Sequence, residues 1–147
     1  MLSEKKLTLA VAESCTGGLL GSMITSVPGS SAYFLGGAVT YCNDAKEGLL
    51  NIPKQIMIEN GAVSEETAVG MADGARRLFG SDLSISITGV AGPGGGTAAK
   101  PVGLVWIGIS SEKETFAREF HFSGSREKVR SAAAEKAMEL LMDSLVH

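Results

Sequence analysis

The chain has 147 residues, of which 20% are charged, and a formal net charge of −3. This length suits one domain spanning residues 1–147, and the slightly acidic balance excludes the basic surface typical of nucleic-acid binding. Two cysteines exclude a disulfide framework, and no apolar segment approaches the ~18–20 residues of a membrane span. We therefore expect a cytoplasmic protein with no nucleic-acid or membrane partner.

The first predicted elements are a strand, a tight turn and a helix. The segment LTLAVAESCTGG, residues 7–18, is a short apolar run that stops on small, nucleophilic and glycine residues, and a second apolar segment follows over residues 19–27. This order places Ser14 and Cys15 at the carboxyl end of a strand and at the amino end of a helix. Ligands bind at such places in open α/β sheets, and a helix amino end offers N–H groups to an anion.

The remaining predicted elements are again strands and helices. A strand is predicted over residues 33–41, where two glycines interrupt it, Asn43 is predicted to cap the next helix, and a short helical piece follows Pro53. Ser64 is expected to cap a helix that Gly80 ends. Three further strands, at 83–88, 102–110 and 115–122, and a long amphipathic helix from residue 125 complete the chain.

The order β-α-β-α-α-β-β-β-α predicts a single three-layer α/β/α domain with a mixed, mostly parallel central sheet. Residues 102–110 are so apolar that we expect this strand to be buried on both faces, with Trp106 in the core. The apolar, glycine-rich segment at 33–39 is a candidate interface for a homo-oligomer.

Three groups of small, polar and glycine residues follow predicted strand ends or form loops. They are ESCTGG at 13–18, YCNDAK at 41–46, and TGVAGPGGG at 88–96 with KPVG at 100–103. The glycine-rich group lacks the Lys-Ser/Thr ending of a nucleotide P-loop, and the serine of the first group does not lie in Gly-x-Ser-x-Gly. The familiar nucleotide and hydrolase motifs therefore do not apply.

The first two groups together contain a nucleophile and a base. Ser14 is the candidate nucleophile, because a helix start supplies N–H donors for an oxyanion. Neither histidine lies in these groups, since His121 falls in the last predicted strand and His147 ends the chain. Lys46 is the only basic residue of the second group, and burial would lower its pKa enough for it to act as a base. Tyr41 is expected to relay a proton or to orient the lysine.

Each of these residues also has a simpler explanation. Ser14 is suited to capping a helix, Lys46 to a solvated helix face, and the glycine-rich group to an ordinary long turn. Cys15 is an alternative nucleophile, because a helix start favours its thiolate.

Six stretches give the chain a resemblance to a known family: AESCTGG, VPGSSAYFLGG, VTYCNDAK, GAVSEETA, TGVAGPGGG and KPVG. In this order they resemble the carboxyl-terminal domain of the competence-damage-inducible protein CinA and the stand-alone bacterial nicotinamide-nucleotide amidases built from it. The resemblance implies hydrolysis of the carboxamide of nicotinamide mononucleotide to nicotinate mononucleotide and ammonia, with no metal or organic cofactor. It also implies that Ser14, Lys46 and Tyr41 are catalytic. One departure is Cys42, where family members often have serine.

The predicted substrate contacts lie in these same stretches and in the last helix. They are Cys15, Thr16, Gly17, Gly18, Ser31, Asn43, Thr88, Gly89, Ala91, Gly92, Gly94 and Arg126. For the phosphate of a mononucleotide, residues 16–18, the glycine-rich group, and Arg126 or Arg130 are the candidate donors. A non-catalytic regulatory module that binds pyridine nucleotides is the alternative function.

Overall fold

The computed structural model describes residues 1–146, so His147 lies outside the described part of the chain. Its elements in chain order are α1 (Leu2–Lys5), β1 (Leu9–Glu13), α2 (Leu19–Thr25), a 3₁₀ turn (Ser30–Ala32), β2 (Phe34–Val39), α3 (Asn43–Leu50), α4 (Lys54–Asn60), α5 (Glu65–Phe79), β3 (Leu83–Gly89), β4 (Leu104–Ser110), β5 (Thr115–His121) and α6 (Arg126–Val146). The five strands form one sheet in the order β2-β1-β3-β4-β5.

The sheet is mixed, as the sequence predicts. β1 pairs in parallel with β2 and β3, whereas β4 is antiparallel to both β3 and β5. Four strands therefore point the same way and only β4 runs against them. Glu13, the last residue of β1, is in register with Val39 of β2 and Ile87 of β3. The carboxyl ends of these three strands consequently lie side by side at one edge of the sheet.

Helices cover both faces of this sheet, which confirms the three layers. α2 and α6 pack together on one face, and α5, with α3 and α4 beside it, covers the other. β1 and the strand part of β3 up to Thr88 are buried along their length. Representative core side chains are Leu20, Ile24, Val129 and Leu141 on the α6 face and Leu50, Ile52, Met71 and Ala75 on the α5 face. None of the helices within residues 1–146 is long and apolar enough to span a membrane.

The structure confirms one of the two predicted helix caps, Ser64 but not Asn43. Ser64 caps α5 as predicted, because its Oγ accepts a hydrogen bond from the amide of Thr67 at 3.1 Å. The prediction that Asn43 caps α3 is wrong, since Asn43 is the first residue of that helix and Cys42 is the cap. Trp106 is also not in the core. It is half-buried and lines a surface groove with Glu65 and Glu66 in the first turn of α5, while its neighbours Val105 and Ile107 belong to the core.

Candidate active site

The three predicted groups converge on a cleft of about 180 Å³ at the carboxyl ends of β1, β2 and β3. The cleft is lined by Ser14, Cys15, Tyr41, Lys46, Ala62, Val63, Thr88, Gly89, Ala91 and Arg126. Ala62 and Val63 are the two lining residues that the sequence analysis did not single out. They lie in the GAVSEETA stretch, directly before α5, and the carbonyl of Ala62 accepts a hydrogen bond from Thr88 Oγ1 at 2.8 Å.

Ser14 and Lys46 form a hydrogen-bonded pair at the base of the cleft. The amide of Ser14 donates to the carbonyl of Ile87 at 3.0 Å, which fixes the serine to the end of β3. Lys46 extends from α3 with its side chain fully buried, and its Nζ lies 3.1 Å from Ser14 Oγ. The same Nζ donates to the carbonyl oxygens of Thr40 at 2.7 Å and Tyr41 at 3.2 Å. Lys46 is therefore no solvated lysine, in contrast to the simpler explanation.

The surroundings of Lys46 favour its neutral form. Burial lowers the pKa of Lys46, against weaker opposing effects of Cys42 and Cys15, and within residues 1–146 the ammonium forms no ion pair. A neutral amine has two N–H groups and one lone pair. Carbonyl oxygens can only accept hydrogen bonds, so in the neutral form the two N–H groups would donate to the carbonyls and the lone pair would face the Ser14 hydroxyl. This is the arrangement of a base and its nucleophile.

Glu13 occupies the amino end of α2, a role that the sequence analysis missed. Its carboxylate is buried and accepts hydrogen bonds from Thr16 Oγ1 at 2.6 Å and from the amides of Gly18, Leu20 and Gly21 at 3.2, 2.8 and 3.0 Å. The Thr16 hydroxyl and the Gly18 amide, both considered for the substrate phosphate, are thus already bound by an internal anion. The sequence signal that could have predicted this role is an acidic residue shortly before a helix start, where a carboxylate is favoured.

Residues 14–18, the nucleophile loop, still leave two amides unused. The carbonyl of Ser14 accepts a hydrogen bond from the amide of Gly17 at 3.1 Å, which closes a tight turn. Among residues 1–146, the amides of Cys15 and Thr16 donate to no other residue. They adjoin the Ser14 side chain and are the candidate donors to an oxyanion.

Cys15 lines the cleft but is poorly suited to act as a nucleophile. Burial raises the pKa of its thiol to about 11, although a backbone hydrogen bond and the Arg130 charge oppose the shift. The expected help from the helix start is absent because Glu13 already neutralises it. Because the thiolate is the reactive form, this environment favours Ser14 over Cys15.

Tyr41 and Arg126 form the mouth of the cleft. Arg126 donates from Nη2 to the phenol oxygen of Tyr41 at 3.1 Å and from Nη1 to the carbonyl of Gly92 at 2.7 Å. The phenol is largely exposed, and the contact of Tyr41 with Lys46 is made by its backbone carbonyl. The geometry therefore supports orientation of the lysine by Tyr41 and shows no side-chain path for a proton relay.

Several predicted contacts do not line this cleft. Ser31 lies in the 3₁₀ turn that precedes β2. Because β2 runs from that turn toward the cleft, Ser31 is at the amino end of the strand, away from the cleft. Asn43 and Gly94 are exposed outside the lining, and Gly17 directs its amide to Ser14. The side chain of Arg130 hydrogen-bonds to the nucleophile loop and does not line the cleft. Residues 1–146 also hold no group of three or more His, Cys, Asp or Glu side chains arranged for a metal ion.

Comparison with known proteins places this chain in a family. Residues 1–145 match the family model described as the CinA C-terminal domain. A CinA-like protein of Geobacter metallireducens is 49% identical over 146 residues, and a putative competence-damage inducible protein of Moorella thermoacetica is 50% identical over 145 residues. Each match covers 99% of this chain but 35% of the relative, so the chain spans about a third of the length of these curated relatives.

Solved structures give the same assignment. The crystal structure of a competence-damaged protein (CinA) superfamily protein from Escherichia coli has a TM-score of 0.93 and 35% identity, covering 96% of this chain and 82% of that one. The competence/damage inducible protein CihA from Agrobacterium tumefaciens has a TM-score of 0.94 and 38% identity, covering 97% and 87%.

Proposed function

The chain belongs to the CinA C-terminal domain family, and we propose that it is a nicotinamide-nucleotide amidase that uses a Ser–Lys mechanism. It would hydrolyse the carboxamide of nicotinamide mononucleotide to nicotinate mononucleotide and ammonia. The observation that carries the proposal is the 3.1 Å contact between Lys46 Nζ and Ser14 Oγ, in a site where burial lowers the pKa of the lysine.

In the first half-reaction, neutral Lys46 takes the hydroxyl proton as Ser14 Oγ attacks the carboxamide carbon. A C–O bond forms and the carbonyl electron pair moves to oxygen, which the amides of Cys15 and Thr16 are placed to stabilise. The intermediate collapses with cleavage of the C–N bond. The Lys46 ammonium returns its proton to the leaving nitrogen, so that ammonia departs and an acyl ester remains on Ser14.

In the second half-reaction, water replaces ammonia. Lys46, neutral again, takes a proton from the water as its oxygen attacks the ester carbon. Cleavage of the bond to Ser14 Oγ releases nicotinate mononucleotide, and the lysine proton returns to Ser14. Every proton transfer is thus assigned to one buried amine, which accounts for the absence of a histidine from the cleft lining.

The phosphate of the substrate is proposed to bind at the mouth of the cleft. The cleft is smaller than the ~300–1,000 Å³ typical of ligand pockets, so it would enclose the nicotinamide end and leave the phosphate outside. Arg126 is the cation in its lining besides Lys46, and its present acceptors, a carbonyl and a phenol, are neutral. A phosphate would exchange with them and form stronger, charge-assisted hydrogen bonds.

Cytoplasmic location and self-association are further parts of the proposal. Cys15 and Cys42 are both free thiols, which is typical of a reducing compartment. Leu35 and Val39 of β2 are exposed on an edge strand of the sheet, which supports the segment at 33–39 as an interface between copies of the chain.

The test is ammonia release from nicotinamide mononucleotide by the purified chain, with Ser14→Ala and Lys46→Ala measured beside it. We expect turnover by the parent and none by either variant, while circular dichroism shows that both remain folded. Ser3→Ala is the matched control, because this serine is exposed in α1, which precedes β1 and so lies away from the carboxyl ends of the strands. Normal turnover in both site variants would exclude the mechanism. Tight binding without turnover would favour the regulatory module.

A further inference from the structure

We infer that Arg130 is a positioning residue that fixes the direction of the Thr16 amide, one of the two candidate oxyanion donors in the nucleophile loop. The inference rests on the proposed function, since it assigns a task to a side chain behind the reactive serine. Arg130 does not line the cleft, and its guanidinium makes two hydrogen bonds to the backbone of the loop.

The two hydrogen bonds reach consecutive carbonyl groups. Nε of Arg130 donates to the carbonyl of Cys15 at 3.1 Å, and Nη2 donates to that of Thr16 at 2.8 Å. A planar guanidinium presents its donors in a fixed fork, so it holds both carbonyls in one orientation. The neighbours of Arg130 on α6, Val129 and Ala133, are fully buried, which anchors this part of the helix against the sheet.

Fixing a carbonyl also fixes the next amide. In a trans peptide the C=O and the following N–H point in opposite directions. The carbonyl of Cys15 points to α6, so the N–H of Thr16 points away from α6, toward the layer from which Lys46 reaches Ser14. The carbonyl of Ser14 is held by Gly17, which sets the N–H of Cys15 in the same manner. The two amides without partners are thus the two whose directions are determined by these carbonyl contacts.

Glu13 restrains the other end of the loop. Its carboxylate binds the side chain of Thr16 and the amide of Gly18, while Arg130 binds the carbonyls between them. The loop therefore cannot rotate a peptide plane without breaking a hydrogen bond to a buried carboxylate or to a guanidinium. Donors held in place before the reaction are the condition for strong oxyanion stabilisation.

The test measures kcat and KM for nicotinamide mononucleotide in Arg130→Met and Arg130→Lys. Loss of one oxyanion donor lowers kcat by about 10²–10³-fold, so we expect a loss of that order in Arg130→Met with KM nearly unchanged. Lysine offers one point donor without the fork, and Arg130→Lys should recover part of kcat. Arg77→Met, at an exposed position of α5, is the matched control and should behave like the parent.

A second readout separates this inference from the choice of substrate. Acylation of Ser14 by p-nitrophenyl acetate needs the nucleophile and the oxyanion donors but no nicotinamide, and we expect it to slow with kcat in Arg130→Met. If the parent is acylated at Ser14 without hydrolysing the mononucleotide, a slower variant upholds the inference while the amidase assignment fails.

Other outcomes would overturn the inference. The first is an unchanged kcat and an unchanged acylation rate in folded Arg130→Met. The second is a rise in KM with kcat unchanged, which would make Arg130 a phosphate ligand. The third is a folded parent that is neither acylated at Ser14 nor active. If Arg130→Met does not fold, Arg130→Lys decides by the same two rates.

Discussion

The base and the mouth of the cleft differ in how their polar groups are bound. At the base, Lys46 is fully buried and each hydrogen bond of its Nζ goes to a fixed oxygen. At the mouth, Tyr41 is 62% exposed and Arg126 contacts it from an exposed helix end. The groups at the bottom of the cleft are held in place before substrate binds, whereas the groups at its mouth can exchange hydrogen-bond partners. We therefore expect substitutions at the bottom of the cleft to change kcat and substitutions at its mouth to change KM.

The largest effect is expected at Lys46. Loss of a general base costs about 10²–10⁴-fold in rate, and Lys46→Met should lose turnover to that extent. Lys46→Arg sharpens the test, because arginine retains hydrogen-bond donors but cannot give up its proton. Steady-state ammonia release should be equally low in both variants, with exposed Lys54→Met as the control. Activity in Lys46→Arg would show that the lysine acts only as a donor.

The second effect is on pH dependence, and it follows from the lowered pKa of Lys46. Between that pKa and the usual 10.5, the unfolded chain holds a proton that the folded chain has lost. The free energy of unfolding contributed by this residue therefore rises with pH across the window, by at most ~1.4 kcal/mol per pH unit. Urea unfolding at several pH values should show this rise in the parent and not in Lys46→Met. If the difference in unfolding free energy between the parent and Lys46→Met is the same at every pH, the pKa of Lys46 is not lowered.

The base of the cleft was largely predictable from the sequence. Strand ends followed by small residues predicted Ser14 at a ligand site, and the lack of histidine in the same groups made Lys46 the candidate base, with helix capping by Ser14 and a Cys15 nucleophile as the alternatives. The structure brings Ser14 and Lys46 into contact because each follows a strand, and the carboxyl ends of these two parallel strands lie side by side. Glu13 was predictable only in part. An acidic residue before a helix start is a signal, but the sequence does not show that this carboxylate turns toward α2 and accepts from the amides of Gly18, Leu20 and Gly21.

The roles of the two arginines near the mouth of the cleft could not be predicted from the sequence. Arg126 and Arg130 are four residues apart on α6, so they lie on one face of the helix a turn apart and have the same sequence signal. In the structure, Arg126 reaches the mouth of the cleft, whereas Arg130 donates to the carbonyls of the nucleophile loop. Their different tasks arise from what faces each turn of the helix. The same holds for Trp106: its apolar strand predicts burial, but the sequence does not show that its side chain lines a surface groove beside the start of α5.

The next effect in size is expected at Arg126. Charge-assisted hydrogen bonds contribute about twice as much as neutral ones, and loss of a phosphate contact worth ~1.5–3 kcal/mol raises KM by about 10–100-fold. Arg126→Met should show this rise for nicotinamide mononucleotide and little change for the riboside, which has no phosphate. An equal rise for both substrates, measured in parallel, would place the phosphate elsewhere.

A smaller effect is expected from Tyr41→Phe. The variant keeps the carbonyl that orients Lys46 and loses only the phenol oxygen that accepts from Arg126. A neutral hydrogen bond contributes ~0.5–1.5 kcal/mol, so the change in KM should not exceed about tenfold, with kcat preserved. If kcat instead falls as it does in Lys46→Met, the phenol takes part in proton transfer and the division between base and mouth is wrong.

The smallest effect on turnover is expected from Cys15→Ala, although Cys15 is next to the nucleophile. Burial raises the pKa of the thiol to about 11, so at neutral pH almost no thiolate is present to compete with Ser14. Ammonia release should persist in this variant while Ser14→Ala abolishes it. Alkylation of the parent alone does not decide between them, since an adduct on Cys15 would obstruct the cleft that it lines. The reverse pattern, with Ser14→Ala active and Cys15→Ala inactive, would make the thiol the nucleophile and would require its pKa to fall when substrate binds.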